Sequence, residues 1–292
     1  MSRSNDAPSR IRQLLEMIRF SHTIFALPFA LLAAVLAWWT PAETAVGFRW
    51  QDLLGILLAM VGARSAAMAF NRLMDRHIDA GNPRTAGRHL PSGQLSVGAV
   101  WLFTLVSVAV YFLGGALFLP NWLPLAIAVP VLLVLLGYSF AKRFTALAHF
   151  WLGFALMLAP VCAWVALRGN EVLQHPVDLL PSVLLGAAVM FWVAGFDIIY
   201  ACQDFEFDRE AGLNSVPVRL GVAGALRAAM LSHLVMLGLL AALCWSPQLG
   251  GPEIPLGRPF GVGVALIAGL LVYEHSLVRP NDLTRVNQAF YG

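Results

Sequence analysis

Charge is what this chain has least of. Of its 292 residues, 12% are charged and 59% are hydrophobic, where an ordinary soluble domain carries roughly one-quarter charge. A compact soluble domain has no use for that much apolar surface, whereas a membrane-embedded one needs it wherever side chains face lipid. Cysteine is scarce too: Cys162, Cys202 and Cys244 stand alone in or beside apolar runs, without CxxC or CxxH spacing. That excludes a thiolate metal site and leaves small packing residues. There is no imidazole cluster, no serine or cysteine that stands out as a nucleophile, and no low-complexity linker between domains. Short alternating segments are also missing, which excludes a large β-barrel. The class that remains is an all-α, polytopic transmembrane helical bundle, read as a single domain over 1–292.

What is present agrees. Apolar runs fall at about 20–39, 53–70, 99–119, 122–140, 147–167, 180–200, 224–245 and 260–277. Each approaches the ~20 residues that cross roughly 30 Å of hydrocarbon, so eight spans are expected. Residues 1–19 are basic and mildly amphipathic, which suits an interfacial segment. The first span is too long for a signal peptide's apolar region, and no clear cleavage site follows it. Of 19 Lys+Arg residues, only Arg49, Arg168 and Arg258 fall on one face and Arg64 inside the second span. The rest share the other face, which the positive-inside rule makes cytoplasmic. A multi-pass protein of the cell (inner) membrane is expected, with its N-terminus and basic loops in the cytoplasm. The net charge of +3 is thus a topology signal and no argument for nucleic acid.

The acids are few, so their places are informative. Of 16, seven sit in two clusters: Asp75 and Asp79, then Asp197, Asp204, Glu206, Asp208 and Glu210. At 100° per residue, Asn71, Asp75 and Asp79 form one helical stripe, drifting about 40° per step. In "DIIYACQDFEFD", Asp197, Asp204 and Asp208 fall within roughly 20° of one direction if the helix continues, and Glu206 points the opposite way. Asp197 lies in apolar sequence, where a carboxylate costs ~2.5–3.5 kcal/mol on insertion scales and needs a partner. An arginine or a metal ion would serve.

Carboxylates and an amide are hard oxygen ligands of the kind Mg2+ prefers, its shell completed by water and phosphate. Arg72, Arg84, Arg88, Lys142, Arg143 and Arg219 lie in connections on the same face, and arginine's planar fork suits phosphate oxygens. Acids and bases at one surface point to a Mg2+–diphosphate site.

These segments resemble a known family. "NRLMDRHIDAGNPRTAGRHLPSG" is similar to the NxxxDxxxD motif of the UbiA superfamily of intramembrane aromatic prenyltransferases, with its following RTxxRxLPxG. "DIIYACQDFEFD" resembles the second motif, DxxYxxQDxxxD, and "YSFAKRFT" the YxxxKR segment between them. Order and spacing agree over essentially the whole chain. The resemblance implies a UbiA-type helical fold, usually of nine spans, with a cavity open to lipid. It implies that Asn71, Asp75, Asp79, Asp197, Asp204 and Asp208 hold Mg2+ on a polyprenyl diphosphate. Arg72, Arg84, Arg88, Lys142 and Arg143 would assist the diphosphate, while Tyr138 and Tyr200 would line the site. Arg19 matches a basic position associated with the aromatic acceptor.

The implied reaction is transfer of a polyprenyl group to an aromatic acid, with 4-hydroxybenzoate the first expectation and 1,4-dihydroxy-6-naphthoate the alternative. The non-enzymatic alternative is an ion-coupled carrier, which places its polar groups near the bilayer midplane. Two departures from the family pattern stand out. "AGLNSVPVRLG" has Asn214 where the family carries lysine, leaving Ser215 and Arg219 as diphosphate contacts, and a ninth span is not seen by "DLTRVNQAFYG".

Overall fold

Helix boundaries here follow the punctuation of the sequence. The structure, a computed structural model, describes residues 10–18, 26–41 and 47–291. Its helices are α1 (Arg10–Met17), α2 (Leu27–Trp39), α3 (Trp50–Gly81), α4 (Val97–Ala116), α5 (Leu123–Phe144), α6 (Ala148–Gln174), α7 (Leu180–Ala201), α8 (Phe205–Glu210), α9 (Val216–Leu243), α10 (Arg258–Leu277) and α11 (Val286–Tyr291). Among the described residues there is no strand, only an isolated bridge between Arg279 and Asp282.

The second apolar run was expected to end near residue 70. Instead α3 continues for 32 residues, about 48 Å at 1.5 Å per residue. Nothing stops it until Asn82, which adopts extended backbone (φ −96°, ψ 118°) ahead of Pro83, as a residue before proline prefers. Helix α3 therefore outruns a ~30 Å hydrocarbon layer and carries Asn71–Asp79 on its far end. Helix α9 starts earlier than expected: Ser215 caps it, accepting from the Val218 N–H, and Gly221 at φ 68° absorbs a kink after the first turn.

Among the described residues, seven helical segments are long and apolar enough to cross a membrane, the fifth of them running from Pro176 to Glu210 around α7. Eight spans were expected. The first appears as α2, whose 13 residues reach about 20 Å, short of the hydrocarbon thickness; residues 20–25 of that run lie outside the described residues.

Close approach of backbones holds the bundle together where no hydrophobic drive between helices exists. A Cβ on Gly62 of α3 would sit 2.5 Å from the Tyr111 nitrogen of α4, and one on Gly153 of α6 would sit 2.2 Å from the Met190 carbonyl of α7. A core around the fully buried Trp164 draws on α2, α6, α7 and α9. Helix α1 lays Met17 against Ala69 and Leu73 of α3 and leaves Ile11 exposed.

At the end of the bundle remote from Asn71, Arg168 is the fastener. Its guanidinium is buried and donates twice to Asp178, at 2.7 and 2.9 Å. It also reaches the carbonyls of Thr40 (2.9 Å) and Ala37 (3.2 Å), which α2 leaves unpaired at its C-terminus. Trp164 Nε1 donates to the same Asp178 carboxylate. The sequence marked Arg168 only as a loop charge. Removing one partner of such a buried pair costs about 3–5 kcal/mol. Arg168→Ala is therefore expected to lower the thermal unfolding midpoint in detergent sharply, with only partial recovery in Arg168→Lys, whose ammonium lacks the fork. A midpoint equal to wild type would contradict the fastener.

Candidate active site

The continuation of α3 sets the first wall. Asn71, Asp75 and Asp79 face a polar cavity of about 570 Å³, as their four-residue spacing requires. The chain then turns sharply, because the Asn82 side chain accepts from the Arg84 N–H (2.9 Å) and the Thr85 hydroxyl donates to the Asp79 carbonyl (3.0 Å). Such local bonds favour turns over helix, and this one carries Arg84 and Arg88 back over the cavity.

The second wall comes from α7, and here the straight-helix expectation fails. Helix α7 ends at Ala201, a 3-10 turn runs Cys202–Asp204, and α8 follows. A 3-10 turn has 3.0 residues per turn and shifts the angular phase. Asp197, Asp204 and Asp208 all line the cavity nonetheless, delivered by the turn and not by a common helical stripe. Glu206 is exposed and pairs with Arg209, the solvated role expected of it. Helix α5 supplies Tyr138, Lys142 and Arg143, and Arg72 and Tyr200 complete the set.

Four of the five carboxylates in the cavity have a cationic partner. Arg143 Nη2 donates to Asp75 at 3.1 Å, and Asn71 Nδ2 donates to the same carboxylate at 2.8 Å. Arg88 Nη1 holds both oxygens of Asp79 (2.7 and 2.8 Å), with Arg72 at 3.9 Å. Arg84 grips Asp204 through two bonds of 2.9 and 2.6 Å and lies over the Tyr200 ring. Lys142 reaches Asp208 at 3.3 Å. Burial works against the Arg84 guanidinium, yet its bonds to Asp204 and the charge of that carboxylate raise its pKa above the ordinary value. It is a permanent cation clasping one wall to the other.

Among the described residues no three of His, Cys, Asp and Glu converge as a ready-made metal cluster. The donor set still fits Mg2+ in kind: an amide and five carboxylates with no imidazole or thiolate among the cavity's lining residues, which are the hard oxygens this ion takes. Six cations, Arg64, Arg72, Arg84, Arg88, Lys142 and Arg143, line the same cavity. A metal–phosphate pair entering here can exchange with the internal ion pairs without leaving net charge buried.

Not every expected residue arrives. Arg219 is exposed and Ser215 is buried as the cap of α9; neither lines the cavity. Arg19 lies outside the described residues. Asn214, at the position of the missing lysine, donates its backbone N–H to the Lys142 carbonyl at 2.7 Å and so braces the end of α5.

Three lining or supporting groups were not foreseen. Asp197, for which an arginine or a metal ion was expected, meets a histidine: His149 Nδ1 stands 2.7 Å from its Oδ2. His149 is fully buried, and its Nε2 accepts from the Val216 N–H at 3.4 Å, which leaves the proton on Nδ1 to be donated to Asp197. One imidazole thus ties the starts of α6 and α9 to the end of α7. Arg64 lines the cavity with a buried Nε that has no hydrogen-bond partner, and so does the hydroxyl of Ser139. Arg64 was legible in principle, since seven residues before Asn71 is two helical turns and about 20° away.

Comparison with known proteins follows the same lines. The profile of the UbiA prenyltransferase family matches residues 26–291. A protein of Cupriavidus necator named 4-hydroxybenzoate octaprenyltransferase is 30% identical over 286 residues, covering 96% of this chain and 92% of its own. One of the same name from Xanthomonas campestris is 29% identical over 97% of this chain and 87% of its own. The apo structure of a UbiA homolog from Aeropyrum pernix K1 superposes with a TM-score of 0.80 at 36% identity, over 93% and 92% of the two chains. A UbiA homolog from Archaeoglobus fulgidus, solved bound to DMAPP and Mg2+, gives 0.68 at 21% identity over 95% and 94%, a likeness of fold.

Hydrogen-bonded partners of ligating groups typically matter about ten- to a hundredfold. His149→Phe is accordingly expected to weaken Mg2+-dependent binding of inorganic pyrophosphate by that factor in calorimetry, and His149→Gln, which keeps a donor, to recover part of it. Equal affinities for all three proteins would remove His149 from the site.

Proposed function

The chain belongs to the UbiA prenyltransferase family, and from that membership we propose that it transfers a polyprenyl group from polyprenyl diphosphate to 4-hydroxybenzoate, with Mg2+, in quinone biosynthesis. Membership in a family of transferases answers the carrier alternative. The distribution of basic residues supports a cell-membrane location with the cavity on the cytoplasmic side. The homolog bound to DMAPP and Mg2+ supports both the donor class and the ion.

The observation that carries the acceptor is Arg64. A half-buried arginine within a span, its buried Nε unpaired, is costly unless an anion meets it. Arg64, Met68, Asn71, Tyr138, Leu152 and Leu156 line both the polar cavity and a smaller apolar one of about 180 Å³. Arg64 therefore sits where a diphosphate group ends and an apolar chain begins. A carboxylate on an aromatic ring satisfies it and places the ring beside the reacting carbon. The naphthoate alternative carries the same carboxylate; the names borne by the relatives favour 4-hydroxybenzoate.

In this proposal Asn71, Asp75, Asp79, Asp197, Asp204 and Asp208 hold the metal. Bound Mg2+ neutralises charge growing on the leaving diphosphate. The chain's own cations do the same work: Arg72, Arg84, Arg88, Lys142 and Arg143 leave their carboxylates for phosphate oxygens and strengthen as the allylic C–O bond lengthens. Tyr138, Phe196 and Tyr200 line the cavity, where aromatic rings would stabilise positive charge on the prenyl carbon. The apolar walls below keep water from that carbon, so the electron-rich ring captures it and then loses a proton.

Purified protein with Mg2+, polyprenyl diphosphate and each acid is expected to yield prenylated 4-hydroxybenzoate, with turnover abolished by EDTA and by Asp75→Ala. Arg64→Met is expected to raise the KM for the acid by at least about tenfold while leaving the donor KM near wild type, with Arg64→Lys intermediate. Undiminished activity in Asp75→Ala would overturn the metal assignment, and an unchanged acceptor KM in Arg64→Met would overturn the anchor.

A further inference from the structure

The fork between Arg84 and Asp204 differs from the other three cationic pairs of the cavity. Lys142 meets Asp208 through one contact at 3.3 Å, and Arg143 meets Asp75 through one at 3.1 Å. Arg88 holds Asp79, nine residues away, through a single nitrogen. In Arg84, Nε and Nη2 each take one oxygen of Asp204, at 2.9 and 2.6 Å, so both carboxylate oxygens are engaged. The two side chains also differ in freedom: that of Arg84 is 43% exposed and that of Asp204 11%. The Arg84 backbone N–H is held by the Asn82 side chain, so the guanidinium can change partners while the turn beneath it stays fixed. A divalent cation and a diphosphate meet this pair in different ways. A bare cation approaching Asp204 comes up against the guanidinium, and like charges this close in a partly buried cavity repel. A bare diphosphate that draws Arg84 away leaves the confined Asp204 carboxylate without a counter-charge, which is costly. The two together satisfy both halves, because phosphate oxygens take the fork and the cation takes the carboxylate.

We propose that Arg84 is a positioning residue that makes metal and diphosphate binding depend on each other, keeping Asp204 from a divalent cation until a diphosphate takes the guanidinium. This rests on the metal–diphosphate reading above. Such coupling is reciprocal and typically about 5–150-fold. An arginine that only braced the loop would, on removal, weaken both ligands. One that only bound phosphate would leave bare metal unaffected. An arginine that guards Asp204 shifts the two affinities in opposite directions.

The test uses the full chain in non-ionic detergent. Mn2+, which takes the same oxygen ligands as Mg2+, is titrated without any phosphate, and its free fraction is read by electron paramagnetic resonance. Inorganic pyrophosphate is then titrated in a calorimeter at saturating Mg2+. Arg84→Gln is expected to bind Mn2+ at least about fivefold more tightly than wild type and pyrophosphate about tenfold more weakly. Arg84→Lys, which keeps the charge without the fork, is expected to fall between. Arg227→Gln removes an exposed charge outside the cavity and is expected to stay within about twofold of wild type for both ligands. A Mn2+ affinity at or below wild type in Arg84→Gln, or a pyrophosphate affinity equal to wild type, overturns the assignment, as does a Mn2+ gain matched by Arg227→Gln. Should Arg84→Gln not fold, Arg84→Lys decides by the same criteria. Wild-type protein that binds no pyrophosphate with Mg2+ strikes the metal–diphosphate reading itself, whereas an unmoved Mn2+ affinity beside working pyrophosphate binding strikes only Arg84.

Discussion

Charge inside a membrane-spanning bundle has to be met by opposite charge, and the architecture of this protein follows from where that pairing is complete and where it is not. At one end Arg168 and Asp178 satisfy each other and the loose carbonyls of α2, and the result is a fixed joint. At the other end four carboxylates are matched to cationic side chains around a cavity and a fifth, Asp197, to the His149 imidazole. Those pairs are exchangeable because the cavity is open to a ligand that brings both signs at once. The same physics gives a fastener at one end and a site at the other; access to the cavity makes the difference.

Arg64 is the exception that orients the rest. It lies at the boundary between the polar cavity and the apolar one with its Nε unsatisfied, in surroundings where an orphan polar group is expensive. A site whose own ion pairs are complete except at one half-buried cation selects for an anion at that depth. In the proposed reaction the charged walls above and the apolar cavity below would receive the diphosphate and the prenyl chain, with the acidic ring between them at Arg64.

Helical periodicity placed Asn71, Asp75 and Asp79 correctly because α3 runs on unbroken past the membrane thickness and nothing intervenes before Asn82. It brought Asp204 and Asp208 to the right cavity by an incorrect route, since the 3-10 turn after Ala201 resets the phase. The partner of Asp197 was sought among arginines and metals because those are the strong counter-charges. His149, a lone histidine in apolar sequence, gave no pattern to count. Arg219 carried the right charge on the right side of the chain, yet the cap at Ser215 turns it outward.

The sequence by itself determined the class of fold, the extent of each apolar run and the two acidic clusters. These are properties of composition and local periodicity, which need no knowledge of neighbours. Tertiary structure alone decided that Arg84 clasps Asp204 across 120 residues of chain and that His149 serves Asp197. Both join segments far apart in the chain, and the second needs α6 to approach α7 closely, as Gly153 allows against the main chain of Met190, a fact written on no single segment.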